Sequence, residues 1–126
     1  MDWYRRFQTS ADRVKNEFLD FLLACSREGL KVAGYGAAAK GNTLLNYAGV
    51  RPDLLRYVVD ASAHKQGRWL PGSRIPVVAE QVLREDRPDV LVIFPWNLRV
   101  EITTQLAYAR EWGVRFVVAV PSLEMM

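Results

Sequence analysis

One cysteine and one histidine in 126 residues withhold the raw material for several chemistries. Cys25 alone excludes an internal disulfide and a cysteine-rich zinc site, and His64 alone argues against a histidine-based metal centre. No run approaches the roughly 18 consecutive apolar residues of a membrane span. The charged, amphipathic N-terminus lacks the apolar segment of a signal peptide. A soluble, cytoplasmic protein without membrane contact is the expectation. There is no long basic block and no arginine–aromatic alternation, so a nucleic-acid surface is not expected either. The net charge of +3, from 17 basic and 14 acidic residues, allows a modest bias toward an anionic small molecule.

What is present is an ordinary globular balance, half hydrophobic and a quarter charged, in a length that suits one core. The chain centres on Lys31 to Thr43. A short apolar run to Tyr35 reads as a buried strand, breaks at a glycine-rich turn and resumes as a helix closed by Gly49. Gly34, Gly36 and Ala39 fit G-x-G-x-x-G/A, in which glycines permit a tight turn and close backbone approach to a phosphate. Free N–H groups at the helix start would add to an anion site. The same glycines equally suit a strand–helix junction that is merely tight. A P-loop is not met, because Asn42 stands where the lysine belongs and Lys40 precedes Gly41. No G-x-S-x-G elbow, metal-ligand spacing or nucleophile–base pair occurs, so no catalytic residue is expected. The residues describe a binding domain that lends a pocket to chemistry done elsewhere.

Before this centre, residues 3 to about 28 read as one long helix. Tyr4, Phe7, Ala11, Val14, Phe18, Phe21 and Cys25 recur at spacings of three and four, and Leu19, Leu22 and Leu23 widen the stripe toward the C-terminal end. The narrow first half reads as a seam for a partner or neighbouring domain, or for a second copy of the chain, and the broad second half as core. Gly29 is the expected stop, and Cys25 is expected to be a buried structural thiol.

After the centre, Arg56–Asp60 is a strand ending in an acid. Asp60 lies about 20 residues beyond Ala39, where dinucleotide folds place a ribose-binding carboxylate; capping its own loop is the equal alternative. Residues 61–73, with His64, Lys65, Gln66, Arg68 and Trp69, form a charged loop read as a binding loop. Ile75–Val78 is an edge strand, Ala79–Asp86 a short helix, and Asp89–Phe94 a strand. Pro95-Trp96-Asn97 ends that strand, with Asn97 as N-cap of a helix from Leu98 to about Trp112. Leu98, Ile102, Leu106 and Ala109 form that helix's buried face. Arg115–Val120 is the last strand, closed by Pro121. This alternation predicts a parallel sheet covered on both faces, in order 3-2-1-4-5. The loops after strands 1, 2 and 4 then converge at a switch-point crevice.

Gly34-Tyr-Gly-Ala-Ala-Ala-Lys-Gly-Asn-Thr-Leu-Leu-Asn-Tyr47, Tyr57–Asp60, Lys65–Arg68, Leu70–Gly72, Ile75-Pro76, Pro95–Asn97 and Trp112-Gly113 together resemble the C-terminal domain of S-adenosylmethionine-dependent sugar C-methyltransferases. The resemblance covers essentially the whole chain. It implies a Rossmann-like three-layer fold at residues 30–126, with residues 1–29 as a connector helix from a central methyltransferase domain. It implies that this domain closes over a nucleotide-diphosphate sugar whose carbon is methylated next to a keto group, a step in deoxysugar biosynthesis. The methyl donor and catalytic base would lie in the central domain and zinc in an N-terminal region, leaving no cofactor in this chain. An excised domain or stand-alone relative, inactive by itself, is therefore expected.

Carried onto this sequence, the substrate would meet Gly34, Tyr35, Gly36, Ala37, Ala38, Lys40, Gly41, Asn42 and Thr43. Asp60 lies beside the loop in which Lys65, Gln66 and Arg68 supply charge for the diphosphate. Pro95, Trp96 and Asn97 form the opposite wall. The alternatives are a small NAD(P)-binding or sensing domain and a dimerisation domain that binds nothing.

Overall fold

The computed structural model describes residues 2–36, 39–120 and 123–126, and the side chains of residues 10–36, 41–120 and 123–126. Helix α1 spans Asp2–Arg27. It ends in a Schellman closure: Gly29 adopts φ +73°, its N–H donates to Ser26 O, and the Leu30 N–H donates to Cys25 O. Strand β1 (Val32–Tyr35) follows, then α2 (Ala39–Ala48), which Gly49 closes in the same way at φ +73°. The remaining strands are β2 (Val58–Val59), β3 (Val77–Val78), β4 (Val90–Ile93), β5 (Arg115–Val118) and β6 (Glu124–Met125). Helix α3 is Gln81–Asp86 and α4 is Arg99–Gln105.

The sheet order is β3-β2-β1-β4-β5-β6. The first five strands are parallel and keep the expected order, while β6 runs antiparallel to β5, pairing Val117 with Met125 and Val118 with Glu124. The sheet is therefore mixed and six-stranded, not a five-stranded parallel one. Both β6 residues are exposed, so no apolar pattern announces this strand. Pro121, expected to close the domain, lies outside the described residues, and the chain continues beyond it into β6.

Alternation along the strands splits the core in two. Val32, Val58, Val90, Val92, Phe94 and Val117 pack with Phe18, Leu22 and Cys25 of α1 and Leu45 of α2. Ala33, Tyr35, Leu91, Ile93, Phe116 and Val118 pack with Leu83 of α3 and with Ile102, Leu106 and Ala109. The broad half of α1 is thus core, and Cys25 is buried. Farther up α1, Tyr47 of α2 donates a hydrogen bond to Asp12 and lies under Lys15. The side chains of Tyr4 and Phe7 lie outside the described set.

The helix expected over 98–112 is broken. A 3-10 turn at Trp96–Leu98 precedes α4, and Ala107–Trp112 is again 3-10. Thr103 and Thr104 bond back through their hydroxyls to Arg99 O and Val100 O, a pattern that weakens helices. Asn97 falls inside the first turn, and no side chain caps either segment. Leu98 is not on the buried face but 48% exposed, because it belongs to that turn and not to α4.

Candidate functional site at the carboxyl end of the sheet

The loops after β1 and β4 meet as expected, and the glycines are what let them meet. A Cβ on Gly36, which holds φ +92°, would come within 2.6 Å of Pro95 Cδ. One on Gly34 would reach 2.6 Å from Phe94 Cε2, and one on Gly41 would reach 2.8 Å from Phe94 Cγ. Real Cβ contacts do not occur at such distances, so the turn of β1 into α2 closes on Phe94-Pro95 only because these positions lack side chains. Of the two readings of the glycine turn, the tight junction has a full geometric basis here.

Beside this contact lies a slot of about 80 Å³, lined by Gly41, Leu44, Ile93, Phe94, Trp96, Ala119 and Val120. Among the described residues none of those lining it is ionisable. Whole small-molecule sites enclose about 300–1,000 Å³, so this slot holds part of a ligand at most. Trp96 is half-buried at the slot, while Asn97 is exposed. Tyr35 faces the other core, where its hydroxyl accepts from Gln105 Nε2 at 3.2 Å, and it does not line the slot. Thr43 is exposed, and Asn42 is linked to Asn46 by a long contact of 3.5 Å. Ala37 and Ala38 lie outside the described residues, as does the side chain of Lys40.

Among the described residues, none from the loop after β2 lines this slot. Asp60 Oδ1 accepts from the Ser62 N–H at 2.8 Å, its other oxygen lies 3.8 Å from Lys65 Nζ, and Gln66 Nε2 donates to Asp60 O. Asp60 thus holds its own loop, the alternative to a ribose contact. The segment then folds back on the sheet edge: Gly67 N–H donates to Val77 O, Val77 N–H to Arg68 O, and Trp69 bridges antiparallel to Pro76. His64, Lys65, Arg68, Trp69, Leu70, Pro71 and Val77 line a separate, open depression of about 390 Å³. Among the described residues it shares no lining residue with the slot: the loops after β1 and β4 meet at the slot, and the loop after β2 forms this edge site.

Sequence reasoning missed Phe94, Leu44, Ala119 and Val120 at the slot, while Trp69, named in the expected binding loop, lines the edge depression. Only the strand pleat places Phe94 on the glycine side, and no motif marks it. The shifted titrations lie elsewhere. Burial, then a hydrogen bond to Glu80 at 3.0 Å, pushes Tyr108 up to about 12. Burial, then the bond to Asp86 at 2.9 Å, raises Tyr57 further. Among the described residues no group of three His, Cys, Asp or Glu side chains is placed to hold a metal, and no helix is long and apolar enough to cross a membrane.

Comparison with known proteins gives this geometry a family. The model of the C-methyltransferase C-terminal domain matches residues 1–121. The chain is 35% identical over 118 residues to C-methyltransferase NovU of Streptomyces niveus, a match covering 94% of this chain and 28% of that protein. It therefore spans little more than a quarter of that relative's length. On both matches, the chain belongs to the C-methyltransferase C-terminal domain family.

Proposed function

We propose that this domain helps to bind a nucleotide-diphosphate deoxysugar, on whose carbon a separate S-adenosylmethionine-binding domain places the methyl group. The observation that carries the reading is the open apolar slot at the carboxyl ends of β1, β4 and β5. Family membership ties it to carbon methylation; it lacks the volume for a whole substrate, and none of its lining residues among those described is ionisable. A second surface, that of the methyl-donor domain, completes it. In this reading residues 30–126 form a Rossmann-like unit, residues 1–29 connect it to the rest of a cytoplasmic enzyme, and S-adenosylmethionine and zinc are held by other domains. The isolated chain is then inactive.

An amide-shift NMR titration with dTDP, NADH and S-adenosylmethionine in parallel tests this. Saturable shifts with dTDP, and none with S-adenosylmethionine, are expected. Shifts with NADH alone would move the assignment to a dinucleotide domain, against which the engagement of Asp60 by Ser62 and Lys65 already speaks.

A further inference from the structure

A cleft between α3 and the Ala107–Trp112 turn plays no part in the reading above. It lies on the side of the second core, at the amino ends of β4 and β5. Among the described residues it shares no lining residue with the slot or the edge depression. Its volume is about 250 Å³, and its lining is Arg84, Arg87, Tyr108, Glu111 and Trp112.

Two aromatic shelves build this cleft. The Tyr108 hydroxyl donates to Glu80 Oε2 at 3.0 Å, just before α3, and Trp112 Nε1 donates to Pro88 O at 2.9 Å, just after it. The rings are thus pinned one at each end of α3, and they meet edge-on at 6.0 Å between centroids. A guanidinium lies over each: Arg84 is 3.7 Å from the Tyr108 centroid and Arg87 is 5.9 Å from that of Trp112. A stacked guanidinium keeps its in-plane N–H donors and has little freedom left to lose when it binds.

Neither guanidinium has an ionic partner. Lys31 and Arg56, which also reach the end of α3, both pair with Asp86. Arg84, Arg87 and Glu111 are exposed and form no ion pair among the described residues. Arg87 also holds φ +50° at the C-cap of α3, where its N–H donates to Leu83 O at 2.8 Å. Glycine is the usual residue for such a helix stop, and Gly29 and Gly49 fill that role after α1 and α2. At α3 an arginine stands there instead and carries its charge to the Trp112 shelf.

Two unpaired forks on one lining call for more charge and more acceptors than a carboxylate has. A phosphate monoester near neutral pH brings close to two charges and three acceptor oxygens. The cleft falls below the roughly 300 Å³ of a whole small-molecule site, which suits a charged group better than an entire ligand. We propose that this cleft is an anion site that takes a phosphate group, free or at the end of a small molecule, between Arg84 and Arg87. The proposal is independent of the nucleotide-sugar reading, since no residue of the slot enters it.

The test is a titration of the full chain with inorganic phosphate at constant chloride and about neutral pH. It is followed by NMR at the Arg84 and Arg87 side-chain Nε–H signals and at the Trp112 indole N–H. Saturable shifts at all three are expected, and their absence overturns the proposal. Both arginines are exposed, so R84A and R87G should keep the wild-type pattern of the remaining amides. Each should weaken phosphate about tenfold or more, the scale of a lost hydrogen bond to a charged group. Because glycine suits the helix stop, R87G should also melt no lower than wild type. If R87G binds phosphate as wild type does, Arg87 only braces α3 and the proposal is wrong. Dimethyl phosphate, with a single charge, should bind about tenfold more weakly than phosphate, and equal binding would overturn the assignment to a doubly charged group. Glycerol 3-phosphate separates the sources: tighter binding than inorganic phosphate assigns the site to a phosphorylated small molecule, and equal binding assigns it to free phosphate.

Discussion

Gly34 and Phe94 are packed so closely that a single added methyl group on Gly34 would stand 2.6 Å from Phe94 Cε2. Phe94 is hemmed in on two further sides, where Gly41 abuts its Cβ and Cγ and Phe18 meets its ring edge-on at 6.3 Å between centroids, and only the slot offers it room. Gly34→Ala should therefore destabilise the domain by about 1–3 kcal/mol, the range for overpacking a filled core. Urea denaturation measures the loss. In a Phe94→Leu background the added cost should shrink, and an undiminished cost would mean that Val58, 3.2 Å from the same Cβ, is the real obstacle.

Asp60 organises the loop that follows it. Asp60→Ala removes the acceptor for the Ser62 N–H and leaves Lys65 without that carboxylate. The lost hydrogen bond is worth about 1 kcal/mol, and the pair with half-exposed Lys65 adds little. Asp60→Asn keeps an acceptor and should recover most of the difference. Hydrogen exchange at the Ser62 amide would report it directly, rising in the alanine variant and staying near wild type in the asparagine variant.

Tyr108 links stability to alkaline pH. Its folded pKa is pushed up to about 12, first by burial and then by its hydrogen bond to Glu80, against an ordinary value near 10. A group whose folded pKa is raised stabilises fully below its unfolded pKa and loses that contribution as pH climbs through the folded one. Stability should therefore fall between about pH 10 and pH 12, less steeply in Tyr108→Phe. Thermal melts across this range, with phenolate absorbance followed in parallel, give the comparison. Equal slopes in the two proteins would remove Tyr108 as the cause.

Cys25 should be chemically silent in the folded state. It sits in the α1 core, 4% exposed, and burial followed by the nearby Glu28 raises its thiol pKa. Since the thiolate is the reactive form, a thiol-specific chromogenic reagent should modify it slowly in buffer and at once in denaturant. Rapid native labelling would show that α1 opens from the sheet.

Much of the fold was legible because each strand is a short apolar run bounded by turn residues. Gly29 and Gly49 were readable as helix stops, and the right-handed crossover rule then orders β1 to β5. Other features escaped the same reasoning. Leu98 to Trp112 has helical periodicity throughout, yet it divides at Leu106. Glu124–Met125 carries no strand pattern and pairs only because the edge of β5 offers unfilled hydrogen-bonding groups. At the site, the glycine turn and Pro95-Trp96 were correctly brought together by topology. Asp60 stood between two roles that only the positions of Ser62 and Lys65 distinguish.

By itself, then, the sequence determined which segments are buried, where α1 and α2 stop and the order of the five parallel strands. These follow from hydrophobic period, φ preferences and chain handedness, all properties of neighbouring residues. Tertiary structure alone decided that Phe94 fills the space that three glycines leave open. It also decided that the 61–76 loop folds back to split its cations between Asp60 and an open depression, and that a sixth strand closes the β5 edge. Those outcomes depend on side chains brought together from far along the chain. Close packing selects such partners by shape, and shape is not written in any local pattern.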